Sequence, residues 1–324
     1  MSTIIAANRT KDELAMRDAY CKTLMDLAAR DKRIVILDAD LMKSMGMVPF
    51  LKAYPDRAFD VGVQEANMIG VAAGLSATGM IPFAHSFAPF ASRRCFDQVF
   101  LSCGYARLNV RIVGSDPGIT AAFNGGTHMP FEDMGLMRNV PGITILEPVD
   151  SVMLQNLVEQ TADRYGVFYI RLLRKNAVKI YESGSTFDIG KGVLLKDGWD
   201  AAVIASGIMV DEALKAAEML EREGIFIRVV NIFTLKPIDT DMIIQCAKET
   251  GAIVTAENHS IINGLGSAVA EVLAENIPVP MERVGVKDLF GEVGPVDYLA
   301  KRFELTAEDI AEKVRKAMSR KVEH

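Results

Sequence analysis

Residues 59–84 read Phe59-Asp-Val-Gly-Val-Gln-Glu-Ala-Asn-Met-Ile-Gly-Val-Ala-Ala-Gly-Leu-Ser-Ala-Thr-Gly-Met-Ile-Pro-Phe-Ala84. Phe59 to Val63 reads as a short strand-like segment. Ala66 to Ala77 is apolar nearly all round (Met68, Ile69, Val71, Ala72, Ala73, Leu75), which predicts a buried helix. Ile81 to Ala84 starts a second strand. Strand, helix and strand in this order form the unit of a parallel sheet. The rhythm extends both ways. Upstream, Arg33 to Asp38 is a strand, preceded by a helix with Leu14, Met16, Ala19, Tyr20, Leu24 and Leu27 at helical intervals. Thr10 and Glu13 stand before it at capping-box spacing. Downstream, Val110 to Gly114, Ile143 to Leu146 and Val167 to Arg171 read as strands; Ala88 to Ser102 and Ser151 to Arg164 read as helices. The expected fold class is α/β, with helices on both faces of a mostly parallel sheet and ligands beyond the carboxyl ends of its strands.

Residues 174–190 (RKNAVKIYESGSTFDIG) lose the rhythm and are placed as a linker. The alternation then resumes: strands at Ala201 to Ala205, Ile225 to Ile232 and Ala252 to Ala256, helices at Val210 to Glu223, Asp239 to Thr250 and Gly266 to Glu275. Two domains are therefore expected, 1–185 and 190–324. The last helix, Thr306 to Met318, is amphipathic and carries its cap at Thr306 to Asp309. Asn263-Gly-Leu-Gly-Ser267 sits between strand and helix but lacks the third glycine of a dinucleotide loop, so it reads as a tight turn.

Composition excludes several classes. The net charge is -6, from 36 basic and 42 acidic residues, which leaves no electrostatic footprint for nucleic acid. No apolar run approaches the roughly 20 residues that span a bilayer. The first residues, MSTIIAANRTKDEL, lack the features of a signal peptide. Cys21, Cys95, Cys103 and Cys246 show no paired spacing and fit reduced thiols in a cytoplasmic protein. With four histidines in all, a histidine-built metal site is not expected, and no metal ligand is assigned to this chain.

Three features can carry chemistry. Glu65 stands where a strand gives way to the apolar helix, as a helix cap or as a functional acid. Phe87 and Phe90 share one face of a helix start, either as core or as a platform for a flat ring. His128 follows the glycine-containing loop 118–128, a mobile surface loop or an active-site rim.

Several of these segments together resemble the C-terminal half of transketolase, above all the separately encoded C-terminal subunit of split transketolases. They are Gly62-Val-Gln-Glu-Ala-Asn-Met68, His85-Ser-Phe-Ala-Pro-Phe-Ala91, Gly125-Gly-Thr-His-Met-Pro130, Asp31 to Leu41, and Glu257 to Glu271. The resemblance covers nearly the whole chain in the right order. It implies a pyrimidine-binding domain followed by a transketolase C-terminal-like domain of structural role. It also implies ketol transfer from a ketose to an aldose with thiamine diphosphate. Glu65 matches the glutamate that hydrogen-bonds the cofactor's aminopyrimidine, Phe87 and Phe90 the aromatics that stack on it, and Asp40 and Leu41 residues near the thiazolium. Arg93 stands where many transketolases have a tyrosine, which implies a less aromatic stack. His128 matches a histidine that contacts sugar hydroxyls, and Arg17, Ser44 and Arg174 match residues that hold the sugar's phosphate. Asp116 replaces a phosphate-binding histidine and Asn124 an aspartate that meets a sugar hydroxyl. These departures leave open a modified sugar, sulfonated or branched.

The family binds Mg²⁺ and the diphosphate with a Gly-Asp-Gly motif, and the sequence contains none. The resemblance therefore implies that an N-terminal-type partner supplies that half-site, in an α₂β₂ assembly with the helix Ala66 to Ala77 as a contact face. A β subunit of a 2-oxo acid dehydrogenase shares the glutamate and the fold, but Arg17 and Arg174 argue against it. A scaffold without chemistry would not need Glu65, Phe87, Phe90 and His128 together.

Overall fold

The computed structural model describes residues 2–321. Its strands are β1 (Ile34–Asp38), β2 (Ala58–Asp60), β3 (Ile81–Phe87), β4 (Arg111–Ser115), β5 (Thr144–Leu146) and β6 (Phe168–Leu172) in the first half. The second half adds β7 (Val193–Lys196), β8 (Ala201–Ala205), β9 (Ile227–Asn231), β10 (Thr234–Lys236), β11 (Ile253–Ser260) and β12 (Met281–Val286). The helices are α1 (Met16–Arg30), α2 (Val48–Ala53), α3 (Glu65–Ala77), α4 (Ala88–Ser92), α5 (Phe96–Gln98), α6 (Asp133–Arg138), α7 (Ser151–Asp163), α8 (Met209–Glu221), α9 (Thr240–Thr250), α10 (Leu265–Asn276), α11 (Val296–Arg302) and α12 (Ala307–Met318).

Two sheets result, in the orders β10-β5-β6-β4-β3-β1-β2 and β12-β11-β8-β9-β7. All pairings are parallel except β10 on β5 and β7 on β9. Strands β1, β3, β4 and β6 are buried along their whole length. Helices covering both faces make that burial possible, which is why these strands are predominantly apolar. The α/β reading of two mostly parallel sheets flanked by helices is what the structure contains.

Five local expectations are corrected. The capping box at Thr10 and Glu13 does not form; α1 starts at Met16 after Ala15, without a side-chain cap. Residues 2–11 instead form an arm that bridges to 178–186, and the Thr10 carbonyl accepts from the Lys179 N–H. The linker's backbone groups need partners, and the arm supplies them. The strand read as Phe59 to Val63 ends at Asp60, because Gly62 turns the chain at φ +73°. The helix read as Ala88 to Ser102 breaks into α4, a 3-10 turn, α5 and a π-helical stretch at Val99–Tyr105. The Ser92 hydroxyl donates back to the Ala88 carbonyl at 2.6 Å, the kind of bond that bends a helix. Helix α3 is buried on one face only, through Met68, Ile69, Ala72, Ala73 and Ser76. Its other face is exposed at Asn67, Gly70 and Gly74, and no atom lies where a Cβ on either glycine would meet it. Finally, the two sheets are not independent: β10 leaves the second half and pairs Thr234 with Leu146 at the edge of the first sheet.

A buried polar network fixes the halves to each other. Arg171 on β6 donates to both oxygens of Asp133, at 2.8 and 2.5 Å, to Glu147 at 2.6 Å and to the Asn258 carbonyl at 3.1 Å. Glu147 also accepts from Ser206 at 2.5 Å. Removing one partner of such a pair strands a buried charge, at about 3–5 kcal/mol. Asn258 then reaches into the first half. Its Oδ1 accepts from the Ile119 N–H, and its Nδ2 donates to the Pro117 carbonyl, both at 2.9 Å. Gly118 is obligatory there: it sits at φ +53°, and a Cβ would lie 2.1 Å from Asn258 Oδ1.

Behind Asn258, the Asn263 to Ser267 turn does what its spacing suggests. The N–H groups of Leu265 and Gly266 donate to the chain's own Glu257, at 2.6 and 2.8 Å, so the opening of α10 holds an internal carboxylate. Burial pushes the Glu257 carboxyl up to about 7 and the neighbouring His259 imidazole down to about 4. The signs oppose. The raised carboxyl contributes stability below its ordinary value of 4.5, lost as pH rises through about 7. The lowered imidazole contributes stability above its ordinary 6.5, lost as pH falls through about 4. The two slopes offset in the wild type. In Glu257→Gln only the imidazole slope remains, so urea-denaturation stability should rise with pH between about 4 and 6.5 more steeply than in the wild type. Parallel pH profiles would contradict this.

Candidate active site

Parallel strands end on one rim, and winding reverses at β1, which has β2 on one side and β3 on the other. A crevice opens at such a point. The turn after β1 is braced from below. Asp38, fully buried, lies 3.0 Å from His85 Nε2 on β3, and its other oxygen accepts from the Leu41 N–H. Asp40 crosses this turn at φ +63°, its N–H donating to Asp60 Oδ1 at 2.9 Å. Asp40 and Leu41 are thus fixed at the rim by Asp38, His85 and Asp60.

Glu65 is the first residue of α3, with Gln64 as the N-cap and no side-chain cap bond. The capping alternative therefore fails: the carboxylate turns into the protein instead. It is 1% exposed, 3.3 Å from Ser86 Oγ and 2.8 Å from Arg94 Nη1. The Arg94 guanidinium also lies 4.0 Å over the Phe90 ring. Phe90, Phe87 and His128 form an aromatic cluster, with ring centres 6.1 Å apart for the two phenylalanines and 5.0 and 5.7 Å from the imidazole. Phe87 ends β3 and Phe90 lies one turn into the next helix, so the rings meet at the strand end rather than in the core.

On the far side, Arg174 lies 5.2 Å over Phe87 and pairs with Asp116 at 3.1 Å. Asp116 is buried at φ +57°; its Oδ2 also accepts from Ser115, while Oδ1 has no partner. Burial pushes its carboxyl up, against the pull of Arg174. Arg17 donates to the Ser44 carbonyl at 3.1 Å and lies 3.4 Å from Asp18. Its helix is tied to the same strand end, since the Met16 N–H donates to the Lys175 carbonyl at 3.1 Å.

The structure joins Glu65, Phe87, Phe90, His128, Arg174 and Asp116 into one continuous cluster and places Arg17 with Ser44 beside it. Ser44 meets Arg17 through its backbone carbonyl. Arg93 does not stand in the stack: it pairs with Glu132 at 2.9 Å and reaches the Thr127 carbonyl. Asn124 is exposed at the end of the 3-10 segment 118–124, outside this chain of contacts. Within that segment Ala122 is held at φ 49°, ψ -117°, a conformation that costs about 1–3 kcal/mol and persists only under tertiary constraint. Gly126 supplies part of that constraint, since a Cβ there would lie 2.4 Å from the Gly291 carbonyl of the second half. Sequence pattern alone does not single out Arg94, Ser86 or Asp38. A signal for Arg94 is nonetheless present: it follows Phe90 by four residues, the spacing that puts two side chains on one helical face.

The residues fit an aminopyrimidine. A buried carboxylate already takes an N–H from a flat, nitrogen-bearing group stacked on Phe90, which is what such a ring presents. Among the described residues, no group of three or more His, Cys, Asp or Glu side chains can hold a metal ion.

Comparison with known proteins shows the family. Residues 12–179 match the transketolase pyrimidine-binding domain, and residues 190–310 the transketolase C-terminal domain. The chain is 54% identical, over 96% of both chains, to a 6-deoxy-6-sulfo-D-fructose transketolase subunit from Clostridium sp. (strain MSTE9). It is 35% identical to an apulose-4-phosphate transketolase subunit from Phocaeicola vulgatus, covering 85% of this chain and 88% of that one. Against the transketolase of Rattus norvegicus it is 34% identical over 94% of its own length but spans only 49% of that enzyme. A solved structure described as a split gene transketolase, an inactive beta4 tetramer, superposes with a TM-score of 0.89 at 44% identity, covering 95% of this chain and 100% of that one.

Proposed function

This chain belongs to the transketolase family, and we propose that it is the C-terminal-type subunit of a two-component transketolase whose site is completed by a partner. The observation that carries the proposal is Glu65, a buried carboxylate at the mouth of α3, facing an aromatic cluster at the sheet's carboxyl rim. Bound thiamine diphosphate supplies a nucleophilic ring carbon and an electron sink for cleavage of a sugar C–C bond. Glu65 would hold a hydrogen at the cofactor's pyrimidine nitrogen, because its side chain turns inward at the rim where that ring would lie. Phe87 and Phe90 orient that ring, with Asp40 and Leu41 beside the rest of the cofactor. His128 stabilises charge on the sugar's oxygens. Arg17 and Arg174, with Ser44, take the sugar's anionic end; Asn124 meets a sugar hydroxyl from the loop, and Arg93 braces that loop at Thr127.

The partner, of N-terminal type, holds Mg²⁺ and the diphosphate, in an α₂β₂ assembly. The open face of α3 supports this: helix surfaces bearing Gly70 and Gly74 with nothing above them suit close packing by a second chain. We place the enzyme in the cytoplasm, in carbohydrate metabolism. Its four cysteines are free and buried, and among the described residues no helix is long and apolar enough to cross a membrane.

A second reading concerns the anion. Arg17 and Arg174 are each already paired with a carboxylate, Asp18 and Asp116. Lys175, near Asp116, leaves one positive charge in excess. That balance suits a sulfonate, with its single charge, better than a phosphate, which carries about -1.5 to -2 at pH 7. The 54% relative is named for a sulfonated sugar.

Ketol transfer assayed with the chain alone and with its partner tests the main proposal. Activity is expected only from the pair, and robust activity from the chain alone would contradict it. Glu65→Ala should lower kcat ~100-fold or more in the pair; retention of a tenth of the activity would remove Glu65 from its role. Gly70→Leu should raise the free chain's stability by up to about 1 kcal/mol through helix propensity yet prevent assembly, read by sedimentation. Normal assembly would exclude α3 as the contact face. Asp116→Asn keeps a residue that tolerates the left-handed backbone and should raise kcat/KM for a phosphorylated donor relative to a sulfonated one. An unchanged ratio would exclude Asp116 from discrimination.

A further inference from the structure

We propose that Arg94 is a resident occupant of the pyrimidine seat: it pairs with Glu65 in the free chain, leaves when the cofactor's ring binds, and thereby sets cofactor affinity. The inference rests on the thiamine-diphosphate reading of the site. Two contacts carry it. Arg94 Nη1 donates to Glu65 Oε2 at 2.8 Å, and its guanidinium carbon lies 4.0 Å from the centre of the Phe90 ring. A guanidinium is flat, delocalised and rich in N–H donors, so it makes the same two contacts that a stacked, protonated aminopyrimidine would make. In this respect the free chain satisfies its own site.

The pair opposes cofactor binding. Arg94 Nη1 occupies the Glu65 oxygen that a ring nitrogen would need, and its guanidinium lies over the Phe90 ring that a bound ring would cover. Both cannot be seated at once. The asymmetry of burial says which group yields. The Glu65 side chain is 1% exposed and fixed at the start of α3, but that of Arg94 is 44% exposed. Arg94 can swing its charged head into water on its flexible stem, leaving Glu65 with Ser86 as its remaining side-chain partner. The cation is useful while the ring is absent. Without it the free chain would bury a carboxylate served, among the described residues, only by one long hydroxyl contact at 3.3 Å. Arg93, adjacent in sequence, does not share the task, because Glu132 and the Thr127 carbonyl hold it on the loop side.

Binding of thiamine diphosphate to the assembled complex, measured by isothermal titration calorimetry with Mg²⁺ present, tests the proposal. Arg94→Met destabilises only the free state. It should therefore tighten cofactor binding about tenfold, the weight of one charge-assisted hydrogen bond, and lower the thermal midpoint of the free chain. Arg94→Lys keeps the charge without the flat fork and should fall between wild type and Arg94→Met. Circular dichroism of the free variants confirms folding, and Arg94→Gln serves if Arg94→Met does not fold. Unchanged or weaker cofactor binding in a folded Met or Gln variant would overturn the proposal. A wild-type complex that fails to bind thiamine diphosphate at all would instead overturn the functional reading on which it rests.

Discussion

A buried carboxylate is among the most expensive features a protein can carry unless other groups partner it, and the first half of this chain is organised around one. Glu65 cannot turn outward, because it opens a helix whose inner face is locked into the core by Met68, Ile69 and Ala72. It therefore needs a donor from elsewhere. β3 supplies Ser86, and the broken helical stretch after Phe90 supplies Arg94. The aromatic cluster, the braced turn after β1 and the arginines beyond Phe87 all lie on the rim where parallel strands end.

The second half carries no residue of that cluster, yet it determines the cluster's shape. Asn258 pins the start of loop 118–128, the Gly291 carbonyl leaves room only for glycine at 126, and Arg171 ties Glu147 and Asp133 to β11. The strained Ala122 backbone is held between these contacts. His128 ends the loop, so its position against Phe87 and Phe90 is a property of both halves.

Much of this is legible in the residues, and the limits have physical causes. Mostly apolar stretches at Arg33 to Asp38 and Val110 to Gly114 announce strands buried on both faces, and the order of strands and helices fixes their parallel pairing. Glu65, Phe87, Phe90 and His128 are visible because they punctuate those runs. The capping box at Thr306 can be read from four residues, since both of its bonds are local. The one at Thr10 misleads, because nothing local reveals that an arm must instead pair with residues 178–186. Strand β10 is hidden for the same reason: its pairing joins positions nearly ninety residues apart. Arg94 is hidden because a charged residue beside another charged residue reads as surface until its i, i+4 aromatic neighbour and a buried acid are placed together. The exposed face of α3 is a different kind of limit, since an apolar run does not say which of its faces the rest of the chain covers.

The central claim is that this chain grips the ring end of a cofactor whose anionic end belongs to another polypeptide. The most direct measurement is the crystal structure of the chain assembled with its partner, thiamine diphosphate and Mg²⁺. The expected result is a pyrimidine nitrogen within hydrogen-bonding distance of Glu65, its ring against Phe87 and Phe90, and the metal liganded by partner residues. A ring lying away from Glu65, or a magnesium ion held by this chain's own side chains, would contradict it.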